Sequence, residues 1–287
     1  MSWFGRPGGL CTLAAIGAFA CEPLVEGVDA SSGICEPGGA SVYPLEAGAW
    51  WRDRVVDEVG KADCPDKVVS IGQQSHPPGR PDVEAWPARS ERETKWGLRW
   101  QEVTPTGVLR VADEWFDWDD NGVTLDVYCP YKTRMLDGGS VCVGDQWTEH
   151  PLRARITPTA ACPKPCWDHV VVDPTTCQLT SPPGGFKVEV GTMDVSCTVE
   201  GVNEEVETSA GTFDALRVRC VEIVTISGNP PGEPKTSTYW WARGVGKVRE
   251  HPAPPDGPEV LVSRCLPSEG CTDVPPNYQT MKAACPE

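Results

Sequence analysis

Lys95–Tyr128 runs KWGLRWQEVT PTGVLRVADE WFDWDDNGVT LDVY, and this stretch decides the fold. Trp96, Leu98 and Trp100 alternate with polar or glycine positions, and Thr104-Pro105-Thr106-Gly107 then supplies turn residues. Leu109, Val111 and Trp115 carry the apolar pattern on to Asp119-Asp120-Asn121-Gly122. Beyond it Val123, Leu125 and Val127 alternate against Thr124, Asp126 and Tyr128. A period of two on both sides of Asn-Gly predicts a β-hairpin with its tip at that dipeptide.

The same signal extends in both directions. Upstream, Val42–Trp51 opens a folded region and Trp51–Val59 alternates loosely, whereas the Pro-rich, aperiodic residues 72–94 predict a long loop. Downstream, strands are expected at Leu152–Thr157, Phe186–Val190, Val195–Glu200, Val202–Thr208, Phe213–Ile226, Thr236–Ala242, Val245–Glu250 and Val260–Cys265. No apolar helical period persists beyond about two turns. The 29 Gly and 29 Pro, together one residue in five, exclude a helix bundle. The expectation is an all-β, antiparallel protein of about twelve strands with very little helix. Val143-Gly144-Asp145-Gln146-Trp147 echoes Ala47-Gly48-Ala49-Trp50-Trp51, a hint of a repeated half.

The formal net charge of −16 repels phosphate backbones and anionic lipid surfaces alike, so no nucleic-acid partner is expected. Residues 1–20 carry Arg6 and then a small-residue apolar run ending Ala18-Phe19-Ala20, which predicts a signal peptide. Cys21 follows at once and is the expected lipid attachment point; simple cleavage and secretion is the alternative. Residues 21–41, rich in Gly, Ser and acid, read as a flexible tether, 42–265 as a β domain and 266–287 as a Cys/Pro-rich tail.

Of the 14 cysteines, Cys11 leaves with the signal, and acylation of Cys21 leaves an even twelve. These are Cys35, Cys64, Cys129, Cys142, Cys162, Cys166, Cys177, Cys197, Cys220, Cys265, Cys271 and Cys285, all disulfide candidates in an oxidising compartment. Short spacings favour Cys129 with Cys142, Cys162 with Cys166 or Cys177, and Cys265 with Cys271. Cys162, Cys166 and His169 are better explained by a disulfide loop than by zinc, since export oxidises free thiols. Asp117-Trp118-Asp119-Asp120-Asn121-Gly122 matches half a calcium loop, but the twelfth position is Tyr128 and the flanks are strands, so a hairpin tip is preferred.

Four segments then occur in order: Tyr43-Pro44-Leu45 with Gly48 and Trp50; Gly144-Asp145-Gln146-Trp147; Gly211-Thr212-Phe213 with Val218; and Tyr239-Trp240-Trp241-Ala242-Arg243-Gly244-Val245-Gly246-Lys247-Val248. This succession resembles a widespread group of bacterial envelope proteins and lipoproteins with the patterns Y-P-L-x-x-G-x-x-W, G-T-F-x-x-x-x-V and Y-W-x-A-x-G-V-G-x-V. The resemblance covers roughly 42–250 and implies a curved antiparallel sheet similar to the half-barrels of the lipoprotein carriers LolA and LolB. It implies an outer-membrane location, with the periplasm or secretion as alternatives, and brings no catalytic residues, cofactor or metal.

No nucleophile elbow, zinc-protease, phosphate-loop or dinucleotide motif is present in the sequence. The 12 Trp are the remaining anomaly. Adjacent residues on a strand face opposite ways, so Trp50-Trp51 and Trp240-Trp241 each place one indole on either side of a sheet. Trp51, Trp96, Trp100, Trp240 and Trp241 are the candidate ligand-binding residues of a concave aromatic surface. The expected function is that of a non-catalytic, lipid-anchored envelope protein binding a hydrophobic ligand or a partner protein. The alternative is a secreted hydrolase with a loop-built site.

Overall fold

The computed structural model describes residues 34–55, 67–92, 95–117, 122–136, 139–159, 167, 170–180, 185–254 and 257–278. Within them the strands are β1 (Cys35–Glu36), β2 (Trp50–Val55), β3 (Lys67–Ile71), β4 (Trp86–Glu91), β5 (Lys95–Thr104), β6 (Gly107–Asp117), β7 (Gly122–Leu136), β8 (Val141–Cys142), β9 (Gln146–Glu149), β10 (Leu152–Pro158), β11 (Phe186–Thr208), β12 (Gly211–Ile226), β13 (Lys235–Ala242), β14 (Gly246–His251) and β15 (Glu259–Cys265). One short 3₁₀ turn, Pro267–Glu269, is the longest helical element among the described residues.

Hydrogen bonding runs β10-β7-β6-β5-β4-β3-β2-β15-β14-β13-β12-β11, and β11 pairs back onto β10, so twelve antiparallel strands close into a barrel. β9 continues the line of β10 along the same edge of β11, with Trp147 opposite Cys197 and Leu152 opposite Thr192. The all-β, antiparallel, twelve-strand expectation holds. The sheet goes further than an open half-barrel: β10 is bonded on both sides and leaves no free edge.

The wall changes character around its circumference. On β5–β7 and β10 the residues facing away from the lumen are apolar: Trp100, Val111, Leu125, Val127 and Ile156 pack under Val83, Ala85, Trp167, Val170 and Val172 from the segments before β4 and β11. On β9 and β11–β13 the inward face is apolar instead, with Leu216 opposite Trp241 and Val218 opposite Tyr239 packed against Tyr128 and Val42. One half of the barrel is thus insulated from outside and the other half from within.

Three sequence expectations change. Residues 72–94 are not all loop, because Trp86–Glu91 forms β4 inside the sheet. Pro87 is tolerated there because its carbonyl accepts from Gly72, just past the last β3–β4 pair Ile71–Ala88, so its missing N–H faces no strand. Val195–Glu200 and Val202–Thr208 belong to one strand, β11, bent by register shifts between Val199 and Glu204 and by the positive φ of Asn203. Residues 34–41 of the expected tether are held: β1 pairs with β8, Glu36 bonds Arg243 at 2.9 Å, and Gly244 N–H donates to Ser41.

Four disulfides lie among the described residues: Cys35–Cys142, Cys129–Cys177, Cys197–Cys220 and Cys265–Cys271. The last matches its expected pairing. Cys129 does not join Cys142, because residues 129–136 continue β7 as extended chain for roughly 23 Å, and Cys142 on β8 stands opposite Cys35 of β1. Cys177 therefore meets Cys129, not Cys162, and ties 170–180 to the outer wall. Cys21, Cys64, Cys162, Cys166 and Cys285 lie outside the described residues, as do the signal segment, His169 and the hairpin tip at 118–121. The strands flanking that tip pair as a hairpin, Asp117 opposite Gly122.

The echo between halves is structural. Gly48 and Gly144 both take positive φ, 89° and 97°, and donate to strand carbonyls ahead of β2 and β9. Later in each half a turn is closed by a threonine hydroxyl, Thr104 donating to Gly107 and Thr208 to Gly211, both at 2.9 Å.

Candidate functional site

A cavity of about 30 Å³ is lined by residues of β2–β7 and also of β13 and β14, so it lies inside the barrel. That volume holds a water or two, far short of an acyl chain. Its aromatic wall is Tyr43, Trp51 and Trp241: Tyr43 stacks on Trp51 at 5.8 Å and meets Trp241 edge-on at 5.4 Å.

The motif residues converge here. Trp51 donates its indole N–H to Val245 at 2.6 Å, and Gly246, at φ 103°, leaves room for the ring. A Cβ on Gly246 would sit 3.2 Å from Trp51 Nε1 in a backbone conformation that side chains avoid. Gly246→Ala is therefore expected to destabilise the fold by about 1–3 kcal/mol in urea denaturation, where an exposed glycine such as Gly228 would respond only through its φ.

The rest of the lumen is charged. Glu250 and Glu259 stand directly opposite in the β14–β15 ladder, which has two register pairs. Two facing carboxylates repel, and cations resolve the conflict. Lys247 bonds both, Lys67 reaches Glu259 at 2.5 Å, Arg92 bonds its other oxygen, and Asp53 stands 3.9 Å from Lys67. This cluster joins β2, β3, β14 and β15 where the backbone ladder is shortest. Lys67, Glu259 and Asp53 are 1%, 2% and 3% exposed, so none can turn to solvent for compensation. Elsewhere Lys132 of β7 reaches across to Glu222 of β12 at 2.5 Å, and Asp126 holds Arg155 through two bonds at 2.9 and 2.8 Å. Tyr128 donates to Asp113 at 3.0 Å; burial and the Asp113 charge push its hydroxyl well above the usual phenol range, so it stays protonated.

Burial opposes ionisation of Glu259, but Lys247, Lys67 and Arg92 together hold its carboxyl well below the usual 4.5. Glu250 is depressed too, whereas burial raises Asp53. Burial and the neighbouring Lys247 bring Lys67 down to about 8, although Glu259 pulls the other way. For Glu259 the sign is that of a depressed carboxylate. Its contribution is complete above about 4.5 and lost as pH falls through the folded-state value. Stability of the native chain should thus fall in acid, and Glu259→Gln should show a shallower fall in a pH series of urea midpoints.

Of the candidate ligand residues, the structure brings Trp51 and Trp241 together and separates the rest. Trp240 faces outward, donating to Glu204 at 3.2 Å and meeting His251 edge-on. Trp96 stacks on Phe116 at 5.8 Å, and Trp100 packs in the outer apolar layer. The split of Trp50-Trp51 and Trp240-Trp241 across the sheet is as expected; Trp50 donates outward to the Asp273 carbonyl. The charged lumen residues escaped sequence reading, since alternation shows which residues share a face and not which face is inside. Gly97 carried the one available signal: Trp115 lies over it, within 2.7 Å of where a Cβ would stand, and Arg99 rests 4.6 Å from the centre of that ring. No group of metal-ligating side chains is present among the described residues.

No family profile matches the chain, and no curated protein matches its sequence. Among solved structures, a provisionally named lipoprotein from Parabacteroides distasonis superposes with TM-score 0.31 at 13% identity, covering 78% of this chain and 98% of its own. A provisionally named exported protein with a YmcC-like fold from Bacteroides fragilis gives TM-score 0.30 at 11% identity, covering 79% and 100%. Likeness at that level says nothing of role.

Proposed function

We propose that the chain is an exported protein of the cell envelope, anchored through a lipid on Cys21, that acts by binding a partner protein and not by catalysis. The observation that carries this reading is the set of four disulfides among the described residues, one of which spans 107 residues. Such bridges form and persist where thiols are oxidised. The leader and Cys21 supply the route, and the resemblance to envelope lipoproteins supplies the location. The closed lumen favours a macromolecular partner over an acyl ligand, because its space is too small for a chain and its walls are charged. A hydrolytic reading draws no support from the three described histidines: His150 bonds Asp194 on the surface, His76 bonds the Val83 carbonyl, and His251 packs on Trp240.

Expression in a bacterial host with and without globomycin, followed by intact-mass measurement, tests the anchor. The expected result is a diacylglycerol-bearing mature chain beginning at Cys21, accumulation of precursor under the drug, and loss of modification in Cys21→Ser. A mature chain with an unmodified Cys21, unaffected by globomycin, would overturn it.

A further inference from the structure

We propose that the lumen is a binding site for a small monovalent anion of halide size, held between Arg99, Arg110 and Arg134 beneath Tyr43 and Trp241. The proposal does not depend on the cellular role given above. Five cationic side chains line the cavity, Lys67, Arg99, Arg110, Arg134 and Lys247, against the single carboxylate of Asp53. The two lysines are neutralised by Glu250 and Glu259. On the arginine side Asp113, opposite Arg99 in the β5–β6 ladder, accepts through Oδ2 from Arg110 at 3.2 Å and from Tyr128 at 3.0 Å, and Arg134 bonds the Tyr239 hydroxyl and faces Glu222 and Glu250. Arg99 makes no ion pair among the described residues; its guanidinium rests on Trp115. In a protein of net charge −16 the wall of this cavity thus carries more cations than carboxylates.

The hydrogen-bond inventory points the same way. Arg99 Nε, Arg110 Nε and Trp241 Nε1 belong to residues lining the cavity, and each is buried without an acceptor. Gln101 donates to the Tyr43 hydroxyl, which leaves the Tyr43 proton free to donate in turn. Water brings donors together with acceptors, whereas an anion offers acceptor capacity alone to such a set of donors. Arginine cannot escape by losing its proton. Burial and the adjacent Arg110 push Arg99 below the usual guanidinium range, although Asp113 and Glu250 pull the other way. The volume of about 30 Å³ suits one halide ion with a water.

The test is thermal unfolding of the full oxidised chain in sodium methanesulfonate, with methanesulfonate replaced stepwise by chloride, bromide or formate at constant ionic strength. Chloride and bromide should raise Tm saturably, by about 3–5 °C at ten times the dissociation constant, through preferential binding to the folded state. Arg99→Met should fold at least as stably as the parent without halide and lose the halide response. Crystals grown in bromide should show an anomalous peak beside Arg99. The assignment is overturned by indistinguishable chloride and methanesulfonate curves, by a full response in Arg99→Met, by a lumen without bromide, or by formate stabilising more than chloride.

Discussion

Glu259→Leu is expected to lower stability by about 3–5 kcal/mol, the range for leaving a buried charge without its partner. Leucine is somewhat bulkier than glutamate, and burying it contributes at most about 1.5–3 kcal/mol in the opposite sense. The loss wins because three cations share this one carboxylate: Lys67, Lys247 and Arg92. Glu250 can compensate Lys247 alone, and Lys67 would retain only Asp53 at 3.9 Å. The position sharpens the effect, since β14 and β15 share only two register pairs and the ion cluster spans that seam. Urea unfolding at pH 7 followed by tryptophan fluorescence measures it. Arg219→Ala, whose half-exposed ion pair with Glu200 lies on the surface, should stay within about 0.5 kcal/mol. Equal midpoints for Glu259→Leu and Arg219→Ala would show that the cluster does not hold the seam.

Removing the Cys35–Cys142 bridge by a double alanine substitution is expected to cost about 4–5 kcal/mol, because the bridge closes 107 residues of chain. By the same chain-entropy reasoning the six-residue Cys265–Cys271 bridge contributes about 2 kcal/mol, so the order of the two losses is itself a prediction. The longer bridge also positions the segment that enters the barrel mouth. Cys35 lies one residue from Glu36, which holds Arg243, and the same segment continues to the fully buried Val42 and to Tyr43 between two tryptophans. Thermal unfolding of both double variants gives the comparison, with a Tm drop of roughly 8–20 °C expected for the longer loop. A larger drop for the Cys265–Cys271 variant would contradict the arrangement.

Much of the wall was legible because its chemistry is local. Trp96, Leu98 and Trp100 share one face in the structure as their spacing requires, and the motif glycines Gly244 and Gly246 make the tight turn between β13 and β14, at φ 69° and 103°. The closure of the sheet was not legible. It rests on Leu152–Pro158 bonding both β7 and β11, and pairing between strands distant in sequence leaves no mark on either strand alone. β4 was missed because Pro87 and the polar Arg89, Ser90 and Glu91 violate the apolar pattern, its inward face beyond Trp86 consisting of the small Ala88 and Ser90. The candidate site suffered from an inverted pattern. The tryptophans drew attention and two of the five reached the lumen, while Arg99, Gln101 and Arg110 looked like the solvent side of ordinary strands.

Closure of the barrel is the claim on which the lumen, its ion clusters and its anion site depend, and amide hydrogen exchange across β10 tests it most directly. In a closed barrel the amides of residues 152–157 donate alternately to β7 and β11, so all should exchange as slowly as those of 109–116 in β6. Slow exchange at every one of these positions is the predicted result. Rapid exchange at alternate residues, the signature of one unbonded edge, would show an open sheet and contradict it.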